Sequence, residues 1–403
     1  MFGWEFPPFS EGGLGTACYG LTKGLNHHGA DITFVIPHGG EDIKSEHVRI
    51  IVANNFDTSK FKIKQIDSLV HPYITSGEYA YKRKTIGANK KGDNPYGKNL
   101  FQEVERYAYE AALIALEENF DIIHAHDWLT YKAGINAKKV TGKPLVIHVH
   151  ATEFDRSGDS PNPYVYDIER YGMEQADHII AVSNYTKNII TSKYGIPADK
   201  VSVVHNAVEF TNFNEEKVNI NDSDKVVLFL GRITMQKGPD YFVEAARKVL
   251  DHMDNVKFIV AGSGDMMGYM IERAAELNMS DKMLFTGFLR GDDVDRAYKM
   301  ADLYVMPSVS EPFGITPLEA LRNNTPVIVS KTSGVSEVLN NCLKVDFWDI
   351  NEMANKIIAA LNYSALHSTL TEEGVREVKK FNWNIPAKKC MDVYSCVLNR
   401  WKD

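Results

Sequence analysis

Cysteine is scarce and scattered: the 403 residues hold four, at Cys18, Cys342, Cys390 and Cys396, and none is part of a CxxC pair. That spacing excludes a disulfide framework or zinc ribbon and suits a reducing compartment. Positive charge is not in excess either, with 45 Lys and Arg against 53 Asp and Glu and a formal net charge of −8. Bulk electrostatics therefore make neither nucleic acid nor an anionic membrane surface a natural partner. The deficit is even, 22 basic against 26 acidic residues up to Phe210 and 23 against 27 beyond it, so no charged tail stands apart. No apolar run approaches the roughly 20 residues of an integral membrane segment. The opening Met1-Phe2-Gly3-Trp4-Glu5-Phe6 has neither the basic lead nor the long apolar stretch of a secretory signal, and a cytoplasmic location is expected. The dinucleotide fingerprint GxGxxG does not match the glycine-rich segment near the start, so no NAD site is expected there.

What is present is a globular composition, 44% hydrophobic and 24% charged, in a chain long enough for two or three domains. Short β-rich apolar runs alternate with helix-period segments throughout, the signature of parallel α/β sheets. In the first half strands are expected at residues 32–36, 121–124, 145–149 and 178–182, with a helix over 100–119. A polar stretch from Asn212 to Asp224 interrupts the pattern. It restarts at 226–231 and continues with strands near 256–261, 283–286, 302–306 and 326–329. The fold class is thus α/β, two Rossmann-like parallel-sheet domains, the first ending near 208. Parallel strands present ligands at their carboxyl ends, and with two such domains the natural site is an inter-domain cleft.

Four groups of residues carry candidate chemistry. The segment Glu5 to Gly15 contains Gly12-Gly13 and opens a helix, where backbone N–H groups can approach a phosphate. A ligand-free tight turn is the plain alternative. His124-Ala125-His126-Asp127 and His148-Val149-His150 are HxH pairs, and residues i and i+2 of a strand share a face. Each pair could hold a metal, but both lie at strand ends, where contact with substrate is the better reading, a merely structural role comes next and metal ligation last. Gly231-Arg232 ends a strand and Lys237-Gly238 precedes a helix, so two cations around one loop suit a diphosphate better than two solvated side chains. The strongest signal is Ser310 to Ala320: Glu311 lies in a loop, and Glu319 stands one turn into a helix that Pro317 is placed to start. Simple helix-capping acids are the alternative, each contributing about 0.3–1 kcal/mol. With Arg232 and Lys237 nearby, a sugar-contacting Glu311 and a ribose-binding Glu319 are favoured. The DxD matches at 222–224 and 293–295 lie away from strand ends and are discounted. The basic stretch 82–98 reads as a solvated loop that could overhang the site.

At these residues the chain resembles the retaining GT-B glycosyltransferases, the group 1 family that includes bacterial glycogen and starch synthases, over essentially its whole length. Glu311 to Glu319 matches the E-x7-E motif of that family, and the Arg232/Lys237 pair resembles its diphosphate-binding cations. The resemblance implies that His150 and Glu311 contact the transferred hexose and that Glu319 binds ribose. It implies further donor contacts from Gly12, Gly13, Asn206, Gly231, Gly314, Ile315 and Thr316, and acceptor-side contacts from His126-Asp127-Trp128. Phe381-Asn382-Trp383 resembles the point where a last helix crosses back, which divides the chain into 1–208, 209–383 and 384–403. The synthase signature K-x-G-G-L reads Ser10-Glu11-Gly12-Gly13-Leu14 here, so one expected charge beside the diphosphate is missing.

The expected substrates are a nucleoside diphosphate hexose, glucose favoured, and a carbohydrate acceptor, with glucan synthesis the preferred reading. No metal and no other cofactor are expected, because Arg232, Lys237 and a helix start already oppose the diphosphate. Transfer to a small sugar or lipid-linked glycan is the main alternative. A sugar-nucleotide epimerase, a catalytically inert binding module and a metal-dependent hydrolase using the HxH pairs come after it.

Overall fold

Every strand pairing among the described residues is parallel, as alternating apolar strands and helices require. The computed structural model describes residues 1–8, 12–39, 45–56, 100–210 and 224–402. The chain divides into two units, Met1–Asn206 with Trp383–Asp403, and Ala207–Asn382. Ser10 and Glu11, the basic stretch 82–98 and most of the polar stretch 212–224 lie outside the described residues.

In the first unit α1 (Gly13–His27) leads to β1 (Thr33–Ile36) and β2 (Arg49–Val52). Then follow α2 (Leu100–Glu117), β3 (Ile123–His126), α3 (Trp128–Thr141), β4 (Leu145–Val149), α4 (Glu153–Ser157) and α5 (Pro163–Gln175). β5 (His178–Ala181), α6 (Asn184–Lys193) and β6 (Val201–Val203) complete the series. β1 pairs with β2, and β3-β4-β5-β6 form a second set. Phe2 makes parallel bridges to both Val35 and Ala125 and joins the two. The layer therefore reads β2, β1, the Phe2 segment, β3, β4, β5, β6, and its order reverses between Phe2 and β3, a topological switch point.

The second unit contains β7 (Lys225–Leu230), α7 (Pro239–Leu250), β8 (Val256–Ala261), α8 (Met267–Glu276), β9 (Met283–Gly287) and α9 (Asp292–Met300). After these come β10 (Leu303–Met306), α10 (Thr316–Arg322), β11 (Val327–Ser330), β12 (Leu343–Val345), α11 (Ile350–Asn362) and α12 (Ser364–Val378). The sheet order is β12-β11-β10-β7-β8-β9. Here the switch point falls between β7 and β10.

Central strands covered on both faces need near-continuous apolar sequence, and β7 supplies Val226, Val227, Leu228 and Phe229, all buried. On α7, Phe242, Val243, Ala246, Val249 and Leu250 recur at helical spacing and join Val227 and Phe229 in one core cluster. Burying such a side chain stabilises the fold by about 1.5–3 kcal/mol. The final helix, α13 (Asn384–Lys402), belongs to the first unit and packs along α1, with Trp383 against Gly20 and Gly24.

Two sequence expectations change. The strand expected at 121–124 begins two residues later, so His124 and His126 both lie within β3. β2, β6 and β12 were not anticipated: they are short edge strands, mostly half-buried, and lack the continuous apolar run that marks a strand covered on both faces.

Candidate functional site

The switch point of the second unit is built from the loops that leave β7 and β10. Gly231 ends the β7 run, and Lys237 closes a single turn of 3₁₀ helix before Gly238. Gly238 has φ 64°, and a Cβ there would lie 2.2 Å from the Pro307 carbonyl, so the β7 and β10 loops touch only because this residue is glycine. From the other side Ser308 and Glu311 follow β10. The backbone of Glu311 is pinned by parallel bridging to Ser333: its N–H donates to Thr332 O (3.0 Å), and its carbonyl accepts from the Gly334 N–H (2.9 Å). Gly314, at φ 99°, turns the chain into α10, and a side chain there would press on Glu311 Cγ at 3.2 Å.

Gly231, Lys237, Tyr304, Ser308, Glu311 and Thr316 line one cavity. Lys237 Nζ donates to Glu311 Oε2, and Ser308 Oγ donates to the same oxygen at 3.3 Å. Tyr304 Oη donates to Thr316 Oγ1 (2.9 Å) and lies 3.2 Å from Leu230 O, tying α10 to the end of β7. Arg232 sits beside this cluster with one guanidinium nitrogen on Gln236 Oε1 at 3.1 Å. Glu319, one turn into α10, accepts from Tyr298 Oη at 3.1 Å, and burial raises its carboxyl above the usual range although Arg322 opposes the shift. The structure thus brings Gly231, Lys237, Glu311, Gly314 and Thr316 together, with Ile315, Arg232 and Glu319 adjoining in sequence. Tyr298, Tyr304 and Ser308 were missed by sequence reasoning: two are apolar-strand or helix residues by pattern, and their hydroxyl partners are distant along the chain. The discounted motif at 293–295 is structural. Asp295 Oδ1 accepts from Asn323 Nδ2 (2.7 Å) and from Arg322, while Asp293 pairs with Arg296 at 2.8 Å.

At the switch point of the first unit the residues are mainly imidazoles, most of them buried. In-register pairing sets His126 of β3 opposite His148 of β4. His124, His126 and His148 are each no more than 1% exposed, and His150 is partly buried. The rings stack, 4.3 Å apart for His124–His126 and for His148–His150, and 5.4 Å for His126–His148. Tyr394 of α13 hydrogen-bonds His124 Nδ1 (2.6 Å), and His126 Nδ1 hydrogen-bonds His150 Nε2 (3.0 Å). Burial pushes the first three imidazoles well below their usual range and His150 down to about 3, so all four are neutral near pH 7.

One donor atom each of His124, His126 and His148 lies within 4.8 Å of the others, and Cys18 Sγ is equally close to His126 and His150. An imidazole lone pair lies in its ring plane, however, and the planes of the first three differ by only 10–28°. Their lone pairs run side by side instead of meeting at one point, a poor fit to a metal.

Asp127 follows His126 at φ 60°, and its Oδ1 accepts from the N–H groups of His150 (2.7 Å) and Ala151 (3.2 Å). Burial raises its carboxyl to about 6 against the pull of Arg156. Trp128 is 4% exposed and packs on Phe101, inside the core of the unit. Gly12 caps α1 in extended conformation, and Gly13 opens it with no described atom within 4 Å of where a Cβ would stand. Asn206 is buried just beyond β6.

Residues 210–376 match the family described as glycosyl transferases group 1, and residues 74–211 match Glycosyltransferase Family 4. Together the two glycosyltransferase matches span residues 74–376, and residues 210–376 are those of the group 1 glycosyltransferases. This glycosyltransferase is 29% identical over 416 residues to an uncharacterized glycosyltransferase of Methanocaldococcus jannaschii, covering 99% of this chain and 98% of that one. It is 24% identical over 358 residues to a glycogen synthase of Mycobacterium tuberculosis, covering 85% and 80%. Among solved structures it is similar to a sucrose-phosphate synthase from Thermosynechococcus elongatus, with TM-score 0.75, 19% identity and coverage of 99% and 98%. The two Rossmann-like units are those of the GT-B fold, and the activity of the family is sugar transfer. Among the described residues of this glycosyltransferase no helix is long and apolar enough to cross a membrane.

Proposed function

We propose that this glycosyltransferase moves a hexose from a nucleoside diphosphate sugar to a carbohydrate hydroxyl with retention of anomeric configuration. The observation that carries the reading is the single cavity where Lys237, Ser308, Glu311 and Thr316 meet at the β7–β10 switch point, with Glu319 one turn further along α10. On this reading Arg232, Lys237, Gly231 and the backbone of residues 314–316 hold the diphosphate. Each charge-assisted hydrogen bond contributes about 1.5–3 kcal/mol, and leaving-group charge strengthens it. Lys237 then exchanges its Glu311 partner for phosphate, which frees Glu311 for a hexose hydroxyl. Glu319 takes the ribose diol, while Asn206 and His150 contact the donor and Gly12 and Gly13 let the backbone approach phosphate. The bond between the anomeric carbon and the phosphate oxygen breaks as the acceptor oxygen bonds on the same face. The departing phosphate takes the acceptor proton. These cations make a divalent metal unnecessary.

An α-glucan acceptor is favoured, in keeping with the glycogen synthase relative, and a cytoplasmic reaction fits the nucleotide donor. Transfer to a small sugar is the second reading, because the serine at position 10, where the synthase signature has lysine, departs from the glucan synthases. The test is a panel of UDP-, ADP- and GDP-hexoses against glucan and small-sugar acceptors, following nucleoside diphosphate release and the product's anomeric proton by NMR. Transfer with an α product from an α donor, unaffected by chelator, is expected. An inverted product, or activity lost to chelator and restored by Mn²⁺, overturns the proposal.

A further inference from the structure

We propose that His126 and Asp127 are positioning residues for His150, one fixing its ring and the other its backbone. The inference rests on the reading that His150 touches the donor sugar. His150 is the first residue beyond β4, where strand pairing no longer holds the chain. Asp127 holds it instead, since a single carboxylate oxygen receives two successive N–H groups, from His150 at 2.7 Å and Ala151 at 3.2 Å. Asp127 is itself fixed. Its N–H donates to His148 O (3.0 Å), its carbonyl accepts from the Thr130 N–H (3.0 Å), and its φ of 60° is a conformation that side chains rarely adopt.

The ring is held separately. His126 Nδ1 and His150 Nε2 are 3.0 Å apart, so one of them carries the shared proton. That choice decides what the other nitrogen of His150 offers, since a neutral imidazole has one N–H and one lone pair. When His126 donates, His150 Nδ1 keeps a proton and can donate to a sugar hydroxyl. That Nδ1 is buried and has no hydrogen-bond partner among the described residues. As whole residues His126 and Asp127 are 0% and 2% exposed, whereas His150 is partly exposed, so of the three it is His150 that stands nearest the surface. Two successive residues at the end of β3 act on one histidine of the neighbouring strand.

The test is a double-mutant cycle on the full chain, with turnover and nucleoside diphosphate affinity measured separately. Asp127→Ala should lower kcat about tenfold or more and leave diphosphate affinity within about twofold. Asp127→Asn, whose side-chain oxygen still accepts both N–H groups, should retain at least about a third of the rate. In a His150→Ala background Asp127→Ala should cost nothing further, because its effect passes through the missing ring. His126→Phe, which keeps the ring shape without nitrogens, carries the same comparison if Asp127→Ala does not fold. Independent, multiplying losses in the double variants would overturn the proposal, as would loss of diphosphate affinity. His150→Ala at the wild-type rate would instead overturn the reading of His150 on which the proposal rests.

Discussion

The two switch points occupy equivalent places in their sheets and are built from opposite chemistry. Between β7 and β10 the loops meet in partly buried charge, Lys237 on Glu311 with Ser308 on the same carboxylate. Between the Phe2 segment and β3–β4 the residues are buried imidazoles held neutral by desolvation, with a carboxylate that spends its oxygen on backbone N–H groups. An ion pair can exchange partners with an incoming diphosphate, because phosphate replaces one carboxylate with another anion. A dry imidazole stack cannot accept charge cheaply, but it can hold one neutral polar ring in a fixed orientation. The difference separates binding of charge from orientation of an uncharged group.

The comparison can be broken first at Lys237. Lys237→Ala should lower turnover about 100- to 1000-fold, well beyond the tenfold expected for Asp127→Ala, with circular dichroism unchanged. Comparable losses at the two positions, measured as nucleoside diphosphate release, would show that the units do not divide the work this way. The two carboxylates of the second unit should also separate. Glu319→Ala should weaken binding of the bare nucleoside diphosphate about 10- to 100-fold by calorimetry, whereas Glu311→Ala should bind it almost normally and lose transfer.

Acid should find the first unit before the second. Imidazoles held below their usual range contribute stability that is complete above about pH 6.5, the unfolded value, and is lost as pH falls beneath it. His124, His126, His148 and His150 all act in this direction. Asp127, raised to about 6, and Glu169, raised to about 7, act oppositely and gain stability as pH falls toward 4. The four imidazoles outweigh these two carboxyls, and the Met1 amino group, held down to about 5, and His178 add to them while Glu110 opposes, so the first unit loses stability as pH falls toward 5. Four of the five tryptophans, Trp4, Trp128, Trp383 and Trp401, lie in the first unit, so fluorescence-detected urea midpoints between pH 7.5 and 5 report it. His148→Phe should flatten the pH dependence, and an unchanged slope would refute the assignment. The smallest expected effect is at Tyr298, which donates to Glu319. Tyr298→Phe should weaken nucleoside diphosphate binding about threefold, and an effect as large as that of Glu319→Ala would mean that Tyr298 does more than orient the carboxylate.

The second site was more legible in the sequence than the first, for a physical reason. Lys237 lies one loop beyond β7, and Glu311 to Glu319 span a single loop and helix start, so short-range spacing already carries most of their geometry. Tyr298 and Tyr304 were invisible because a tyrosine on a buried helix face or strand looks like core until its hydroxyl finds a partner. In the first unit the i, i+2 rule showed that each HxH pair shares a face. It could not show that pairing of β3 with β4 merges the two pairs into one stack, or that α1 brings Cys18 and α13 brings Tyr394 to it. Asp127 and Trp128 were grouped with His126 as neighbours in sequence. In the fold they part: Asp127 turns to the next strand and Trp128 into the core.

The sequence by itself determined the class of fold, the two-fold recurrence of parallel α/β units and the residue types at the strand ends. Apolar periodicity and loop spacing are local properties, and they decide which segments become strands and which side chains leave them. Only the tertiary structure decided which strand ends became neighbours. Sheet order places β10 beside β7 and β4 beside β3, and that adjacency turns Lys237 and Glu311 into a pair and four separate histidines into a stack. Order within a sheet depends on how helices of the whole unit cover its faces, a cooperative packing outcome that no short window of residues contains.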